Sequence, residues 1–350
     1  MPVYRRDLLK SAGALAAAAG AFAAAPAAMA GIAPFAPAAG PRSRTIYVND
    51  LSGDIDGLFA TVHMLLSYTS ELRGIVGSWA RDLPGHGSTG EAVQLGQAMV
   101  DLVGLIGKVP VHAGAPGPLA KDREPARTPG VQAIIDEALR EDTQLPLYVT
   151  VGGGLTEVAS AVMIEPRIAG RMKLIWIGGD DYPAGGKGEA NFSTDSLAAQ
   201  FLYNETQLPI WQVPRSVYST CAVSATELQA FVAPHGRIGD WLYRKVVEFP
   251  ARFDNKFNTG EMWLLGDSPL AVLTSLTDWV PSDFAGGKLS FERTGSSRYD
   301  DVTCPLLNAD GTFMPRTEGR KIRIYRNIDV RMMFADFFAK LAMNFPNPAA

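Results

Sequence analysis

The sequence contains few of the residues that build several common kinds of site. It has 350 residues but only two cysteines and four histidines, and the cysteines fit no CxxC or zinc-ligand spacing. The net charge is -4 and there is no basic block, so nucleic-acid binding has no electrostatic support. After the N-terminal region, no run is long and apolar enough to span a bilayer. The composition therefore supports neither a zinc site built on cysteines nor a nucleic-acid-binding protein, and it indicates no membrane span after the N-terminal region.

The N-terminal region has the features of an export signal. Arg5 and Arg6 precede an alanine-rich apolar stretch that ends in Ala-Met-Ala, a small-residue cleavage pattern. This order is typical of a twin-arginine signal peptide. We therefore expect residues 1–30 to be the signal, 31–44 a linker and 45–350 the catalytic domain. The protein is then periplasmic or secreted, with the twin-arginine translocase as a partner during export and no stable membrane anchor.

The two cysteines are Cys221 and Cys304. In an oxidising compartment they could form a disulfide bond. Sequence alone does not show whether their Cα atoms lie close enough, so both the bonded and the free state stay open.

Apolar, β-rich runs alternate with helical patterns from Ile46 to about Ile210. The strand candidates are TIYVN, LRGIVGSW, VPVHAG, PLYVTVG, LIWIGG and PIWQVP. The helical stretches between them include EAVQLGQAMVDLVGLIG, VQAIIDEALRE and TEVASAVMIEPRIAGRM. Such alternation predicts an α/β fold with a mostly parallel central sheet flanked by helices, a Rossmann-like core. Further helices are expected from Ala225 to about Phe249 and in the final stretch VRMMFADFFAKLAMNF.

Three carboxylates crowd the turn between the first strand and the first helix. In IYVNDLSGDIDGLFATVHMLL, Asp50, Asp54 and Asp56 fall within seven positions. The turn lies at the carboxyl end of a strand, where open α/β sheets bind ligands. An EF-hand loop does not fit, because Ser52 and His63 stand where its first and last acids belong. The stretch favours an oxygen-ligand metal site, and an acidic helix cap with spare surface charge is the alternative.

Four further segments, VPVHAGAPGPL, VTVGGGLTEVASAVMIEPRIAGRMKLIWIGG, GEANFSTDSLAAQFL and GDSPLAV, follow the acidic turn. Together with it, and in this order, they resemble the nucleoside hydrolase family over essentially the whole chain after the signal. The resemblance implies a nucleoside hydrolase-like fold. It also implies hydrolysis of the N-glycosidic bond of a ribonucleoside or related N-glycoside by a calcium-activated water, which gives free sugar and base.

By the same resemblance, the partners are a small-molecule nucleoside or N-glycoside substrate and possible homodimer or homotetramer subunits, with no nucleic acid. Because the chain departs from the family pattern at several positions, a competing hypothesis remains. The protein would then be a calcium-dependent periplasmic nucleoside- or sugar-binding protein that has lost catalysis.

The acidic turn departs from the family pattern of two adjacent aspartates. Asp50 matches the first metal-binding aspartate of the family. With a one-residue insertion, Asp56 matches the general base, Gly57 stands where a bidentate metal ligand is expected, and Asp54 is free to replace that ligand. Without the insertion, Asp54 is the base and Asp56 a displaced ligand. We favour the first alignment, because DGLFA then continues into the helix as the family's DDALA does.

Four more positions match the family's metal and sugar ligands. Gly152 matches the residue whose backbone carbonyl binds calcium, and Asp267 matches the last metal ligand, with one extra residue before the following proline. Glu189 and Asn191 match the residues that hold the ribose 5′-hydroxyl and neighbouring sugar oxygens. As a solvated pair on a surface loop these two would also be ordinary.

The leaving-group side departs most from the family. Gly266 stands where the family has a histidine that can protonate the base, and Arg81 lies near the place of a sugar-binding asparagine. His86, in the loop after the second strand, is the candidate for the missing acid, whereas His63 in the first helix and His112 on a strand are more typical of core residues. The aromatic residues that could stack on a base are Trp79, Trp263 and Phe257.

Overall fold

The computed structural model describes residues 40–81, 86–186, 188–253, 260–280, 291–293 and 295–347. The predicted signal peptide, most of the predicted linker and Phe257 lie outside the described residues. The first strand begins at Ser43, two residues before the predicted start of the domain. Within the described ranges, every helix is too short or too polar to cross a membrane.

Fourteen strands occur in the described residues. They are β1 (Ser43–Asn49), β2 (Ser70–Gly77), β3 (Val111–Ala113), β4 (Leu147–Gly152), β5 (Met172–Ile177), β6 (Ile210–Val213), β7 (Ala222–Ser224), β8 (Met262–Leu264), β9 (Asp278–Val280), β10 (Phe291–Arg293), β11 (Arg298–Thr303), β12 (Leu306–Leu307), β13 (Phe313–Met314) and β14 (Lys321–Asn327). Eight of them form one sheet in the order β11-β14-β6-β5-β4-β1-β2-β3. All neighbours in it are parallel except β11, which runs antiparallel to β14 at one edge. The mostly parallel sheet and the six strands expected from sequence are confirmed.

Eleven α-helices accompany these strands in the described residues. They are α1 (Asp56–Leu65), α2 (Thr89–Val103), α3 (Pro129–Ala138), α4 (Thr156–Ile164), α5 (Ala190–Thr194), α6 (Ser196–Glu205), α7 (Arg215–Tyr218), α8 (Ala225–Phe231), α9 (Gly236–Glu248), α10 (Pro269–Ser275) and α11 (Val330–Asn344). The helix expected to continue to Met172 ends at Ile164, and a short 3₁₀ turn begins at Pro166. Proline lacks the N–H group and disfavours helical backbone in the residue before it, which explains the break.

Two hydrophobic clusters cover the two faces of the sheet. Tyr47 packs into one cluster, with α1, α2, α9, α10 and α11, whereas its neighbours Ile46 and Val48 pack into the other, with α3, α4 and α6. This alternation follows from the two-residue period of a strand. Cys221 belongs to the first cluster and Cys304 to the second. Both thiols are buried and free, so the disulfide left open by the sequence does not form.

His63 lies on the inner side of α1 and is 1% exposed. Its Nε2 is 2.7 Å from Oδ2 of Asp336 on α11, and Nζ of Lys340 is 2.6 Å from the same oxygen. Lys340 also donates to Ser67 just after α1. This polar contact joins α11 to the helix that begins with Asp56, and it agrees with the expectation that His63 is a core residue.

The strand order reverses between β1 and β4. From β1 the chain adds β2 and β3 on one side, and it then crosses over to add β4, β5 and β6 on the other side. In open α/β sheets, this switch point leaves a crevice at the carboxyl ends of the strands. Asn49 pairs with Gly152 there, and the backbone N–H of Asp50 donates to the Gly152 carbonyl at 3.3 Å.

Candidate active site

A cavity of about 350 Å³ opens at the switch point. Its size is within the range of small-molecule sites. The residues predicted from sequence that line it are Asp50, Asp54, Asp56, Arg81, Glu189, Asn191, Gly266 and Asp267. Gly152 lies at its floor, because a Cβ atom built there would be 2.4 Å from both carboxylate oxygens of Asp267. The fold therefore brings together residues that are more than 200 positions apart in the sequence.

The acidic turn presents its carboxylates unequally. Asp50 and Asp56 are half-buried, whereas Asp54 is exposed and accepts a hydrogen bond from the backbone N–H of Ile55. Asp56 is the first residue of α1. Its Oδ1 accepts from the N–H of Gly57 at 2.8 Å, and its Oδ2 accepts from the N–H of Asp267 at 3.2 Å. Each carboxylate oxygen of Asp56 is therefore fixed by a backbone N–H group, and the side chain lines the cavity.

The electrostatic environment disfavours several negative charges in this cavity. Burial, and then the charge of Asp267, raise the pKa of Asp50 and of Asp56 well above the ordinary value for aspartate. Burial raises the pKa of Asp267 to about 7, although a hydrogen bond from Asn49 opposes the shift. The charge of Asp54 adds to all three shifts. Mutual repulsion in a desolvated space is relieved by a proton or by a bound cation.

Asp267 follows β8 just before α10 and is 4% exposed. The Nδ2 of Asn49 donates to its Oδ2 at 2.7 Å. The sequence analysis did not identify Asn49. The available signal was a polar residue directly after the apolar run at 46–48, immediately before the acidic turn.

Glu189 is 1% exposed and precedes α5 as its N-cap. Its Oε2 accepts from the N–H groups of Gly179 and Phe192, at 2.6 and 2.9 Å. Its Oε1 accepts from the N–H of Asn191 at 3.0 Å and from the hydroxyl of Tyr218 at 2.7 Å. A carboxylate has about four acceptor positions, so these four donors use the capacity of Glu189.

Asn191 is anchored next to Glu189. Its Nδ2 donates to the carbonyl of Ile177 at the end of β5, at 2.8 Å. Arg81 reaches the same side of the cavity from the loop after β2, and its Nη1 donates to the Ser193 carbonyl at 3.3 Å. The two side chains therefore lie beside the predicted sugar-binding carboxylate.

Tyr218 lines the cavity beside Gly266, where the resemblance predicted a histidine. A Cβ atom built on Gly266 would lie 3.2 Å from Cδ2 of Tyr218 and 3.3 Å from Oδ2 of Asp56. The tyrosine ring therefore occupies space next to the missing histidine. Sequence reasoning missed Tyr218, because it lies on α7, a four-residue helix without a recognisable motif.

Two of the three aromatic candidates lie in the described residues, and neither lines the main cavity. Trp263 is 4% exposed and packs edge-to-face against Phe249, with ring centroids 5.2 Å apart. Trp79 borders a separate small space beside Glu157. Phe249 lines the main cavity, as Tyr218 does, so Trp263 supports one of two aromatic rings there.

His86 faces a neighbouring cavity of about 220 Å³. Its Nδ1 is 3.2 Å from Oε1 of Glu91. Asp54 and Phe249 line both cavities and separate them. The structure thus places His86 near the acidic turn but outside the main cavity.

The donor types at the cavity floor fit a hard cation. Carboxylate and carbonyl oxygens are the ligands that calcium and magnesium prefer. Such an ion would neutralise the negative charges of Asp50, Asp56 and Asp267, which repel one another. Within the described ranges, no group of three or more His, Cys, Asp or Glu side chains is arranged as a metal-binding cluster. The donor types therefore fit calcium or magnesium, although the oxygen atoms of the described residues do not form a closed coordination shell.

Comparisons with known proteins indicate one family. The family model for inosine-uridine preferring nucleoside hydrolase matches residues 48–335. An inosine-uridine preferring nucleoside hydrolase of Leishmania major is 30% identical over an alignment of 148 residues, with coverage of 35% of this chain and 46% of that protein. The chain thus matches about half the length of that relative.

Solved structures show the same fold. A purine-preferring ribonucleoside hydrolase from Gardnerella vaginalis aligns with a TM-score of 0.65 at 17% identity, over 86% of this chain and 98% of that one. An inosine-uridine preferring nucleoside hydrolase from Bacillus anthracis aligns with a TM-score of 0.59 at 15% identity, over 86% and 99%.

The fold and site define an open α/β protein with an acidic ligand cavity at the switch point of its sheet. With a family match over most of its length, the chain belongs to the inosine-uridine preferring nucleoside hydrolase family, whose members are hydrolases of N-glycosyl compounds.

Proposed function

We propose that the protein hydrolyses the N-glycosidic bond of a ribonucleoside or related N-glycoside, with calcium, and releases free sugar and base. The observation that carries this proposal is the meeting of Asp50, Asp56, Asp267 and Glu189 in one cavity at the switch point. By the family resemblance, Asp50, Asp56 and Asp267 belong to the metal site and its general base, and Glu189 belongs to the sugar-binding site.

Asp50, Asp267, the carbonyl of Gly152 and either Asp54 or Asp56 would hold the calcium ion. A bound calcium ion would lower the pKa of a water molecule and bind sugar hydroxyls. The ligand positions come from separate elements, since Asp50 follows β1, Gly152 ends β4 and Asp267 precedes α10. Packing of these elements therefore determines how well the ion is held.

Asp56 is the better candidate for the general base. It is half-buried, lines the cavity and is fixed by two backbone N–H groups, whereas Asp54 is exposed. Burial and neighbouring charges raise the pKa of Asp56. A base whose pKa moves toward the working pH accepts a proton more effectively.

Glu189 and Asn191 would bind hydroxyls of the sugar, with Arg81 beside them. Tyr218, Phe249 and Leu264 form much of the remaining wall near Gly266. This combination of one hydroxyl and two apolar side chains would surround the leaving group. His86 remains a prediction for an acid that acts from the neighbouring cavity.

The N-terminal motif supports export by the twin-arginine translocase to the periplasm or beyond. Folding before export would allow the metal site to form inside the cell. Association into a homodimer or homotetramer is an expectation from the family.

The test is release of reducing sugar from a panel of purine, pyrimidine and modified nucleosides. The protein that starts at residue 31 is assayed with calcium, with magnesium and with a chelator, and the Asp56→Ala variant serves as the inactive control. Product that requires calcium supports the proposal, and the panel identifies the leaving group. Calcium-dependent binding of a nucleoside by calorimetry without any product would contradict it and favour the binding protein.

A further inference from the structure

Asn49 is a buried residue of the site that the family pattern did not assign. It ends β1, directly before Asp50, and is 1% exposed. Its Nδ2 donates to Oδ2 of Asp267 at 2.7 Å. In the described residues, its Oδ1 has no hydrogen-bond partner. The side chain is therefore held through one end only, by a carboxylate 218 positions away.

Two glycines make room for this side chain. A Cβ atom built on Gly57 would lie 2.0 Å from Oδ1 of Asn49, and one built on Gly152 would lie 2.3 Å from its Nδ2. Neither glycine has a positive φ. The backbone conformation therefore does not require glycine at these positions. The space taken by Asn49 requires it at Gly57, and the space taken by Asn49 together with Asp267 requires it at Gly152.

The amide has one favourable orientation. If it were reversed while Asp267 is ionised, as a metal ligand would be, its oxygen would face Oδ2 of Asp267, and two acceptors would lie 2.7 Å apart without a proton between them. With the NH₂ group toward Asp267, one carboxylate oxygen is fixed. The backbone N–H of Asp267 is fixed as well, by its bond to Asp56.

We infer that Asn49 is a positioning residue for the proposed metal centre. It sets the direction of the Asp267 carboxylate, and Gly57 and Gly152 provide the volume for its side chain. Hydrogen-bonded partners of metal ligands orient those ligands and tune their affinity for the metal. The inference rests on the proposed function, because it takes Asp267 as a ligand.

The same geometry gives a steric reason for glycine at position 57, where the family pattern has a carboxylate ligand. Any side chain at this position would overlap Oδ1 of Asn49. A carboxylate at 57 and an amide at 49 are thus alternatives for one space. This chain has the amide, which would support the metal site indirectly, by its hydrogen bond to Asp267.

The first test is calorimetric titration of calcium into the Asn49→Ala variant, with folding checked by circular dichroism. Loss of an outer-shell partner should weaken calcium binding roughly 10- to 100-fold. Asn204→Ala is the matched control, because Asn204 also bonds across the fold, to both backbone groups of Leu307, but is not among the residues that line the cavity. It should bind calcium as the wild type does. If Asn49→Ala does not fold, Asn49→Ser is used, since its shorter side chain cannot span the same distance.

The second test is a double-mutant cycle with Gly57→Ala. Alone, Gly57→Ala should displace Asn49 from Asp267 and weaken calcium binding about as much as Asn49→Ala. In the Asn49→Ala background it should have little further effect, because the clash is gone, so the two changes should be strongly non-additive. Additive effects, or a folded Asn49→Ala that binds calcium within about twofold of the wild type, would overturn the inference.

The wild type is assayed for nucleoside hydrolysis in parallel. Calcium-dependent product together with unchanged calcium affinity in Asn49→Ala would overturn only the role of Asn49. A wild type that neither binds calcium nor gives product would overturn this inference and the proposed function together.

Discussion

The hydroxyl of Tyr218 donates to Oε1 of Glu189 and takes the last acceptor position of that carboxylate. The other three donors are backbone N–H groups, which are fixed by the fold. A sugar hydroxyl that donates to Glu189 must therefore replace Tyr218. Under the proposed function, the substrate and the Tyr218 hydroxyl would therefore compete for this oxygen of Glu189.

Tyr218→Phe should accordingly lower KM for the nucleoside, by up to about tenfold, since one hydrogen bond to a charged group no longer has to be broken. Steady-state kinetics measures the change. Tyr68→Phe is the control, because Tyr68 is exposed and its hydroxyl only approaches Asn344. A higher KM in Tyr218→Phe would mean instead that the hydroxyl binds the substrate.

Asp56→Ala should reduce kcat by roughly 10²- to 10⁴-fold, the usual contribution of a general base. Asp54→Ala should reduce kcat less, because Asp54 is exposed and lies at the boundary between two cavities. Both variants are compared at saturating calcium and substrate. The reverse order of effects would support the alignment without an insertion, in which Asp54 is the base.

Asp267→Asn should raise the melting temperature of the calcium-free protein at pH 8. The wild-type carboxylate is buried with a pKa of about 7, so it is charged at that pH without a nearby cation. The amide removes this cost and keeps an oxygen that can accept from Asn49. The same variant should lose the increase in melting temperature that calcium gives the wild type, as measured by scanning calorimetry. A calcium-free variant less stable than the wild type would contradict the prediction.

The calcium-free protein should lose stability as the pH rises from about 4 to 8. Asp267 and Glu157 have pKa values of about 7 in the folded state, above their ordinary values of 3.8 and 4.5. The folded state therefore binds their protons more tightly than the unfolded state. This stabilisation is complete below the unfolded pKa and is lost as the pH passes through the folded pKa. Denaturant unfolding across this pH range measures it.

Calcium should remove the part of the pH dependence that comes from Asp267 and leave the part from Glu157. The Glu157 carboxylate accepts from the N–H of Ala115 and is not among the proposed ligands. Glu157→Gln should therefore flatten the pH dependence that remains with calcium present. A curve unchanged by both calcium and Glu157→Gln would show that other groups control it.

Asp336→Ala should lower the free energy of unfolding by about 1–3 kcal/mol, because it leaves the buried His63 and the nearby Lys340 without their shared acceptor. Its calcium affinity should stay unchanged. Asp240→Ala removes an exposed pair with Arg244 and should cost less than about 1 kcal/mol. Urea unfolding of the two variants distinguishes the buried contact from the surface one.

The first six strands could be predicted from sequence, because each is an apolar run followed by a helical pattern. Strands β11 and β14 could not be predicted in the same way. Four of the six residues of RYDDVT in β11 are polar, and β14 joins the sheet through β6, more than 100 positions earlier. Their place depends on long-range pairing that leaves no local periodicity.

The site residues that could be predicted from sequence are those whose place at the end of a strand determines what lies around them. Asp50, Gly152 and Glu189 all follow or end strands of the sheet, so they meet at one edge. Asn49 and Tyr218 could not be found in this way, because each acts through a partner that only the folded chain brings near. The cavity that His86 faces could not be predicted either, since a loop's position at the correct edge of the sheet does not determine where its side chain points.

The two outer strands of the central sheet limit how copies of this protein can associate. On one side β3 has only three residues, and on the other β11 carries Asp300 and Asp301, which are paired with arginines of β14. Short or charged outer strands resist the addition of a further strand from another chain. Subunits should therefore meet through helices and loops, and the sheet should not extend from one copy into the next, which also protects the protein against ordered aggregation.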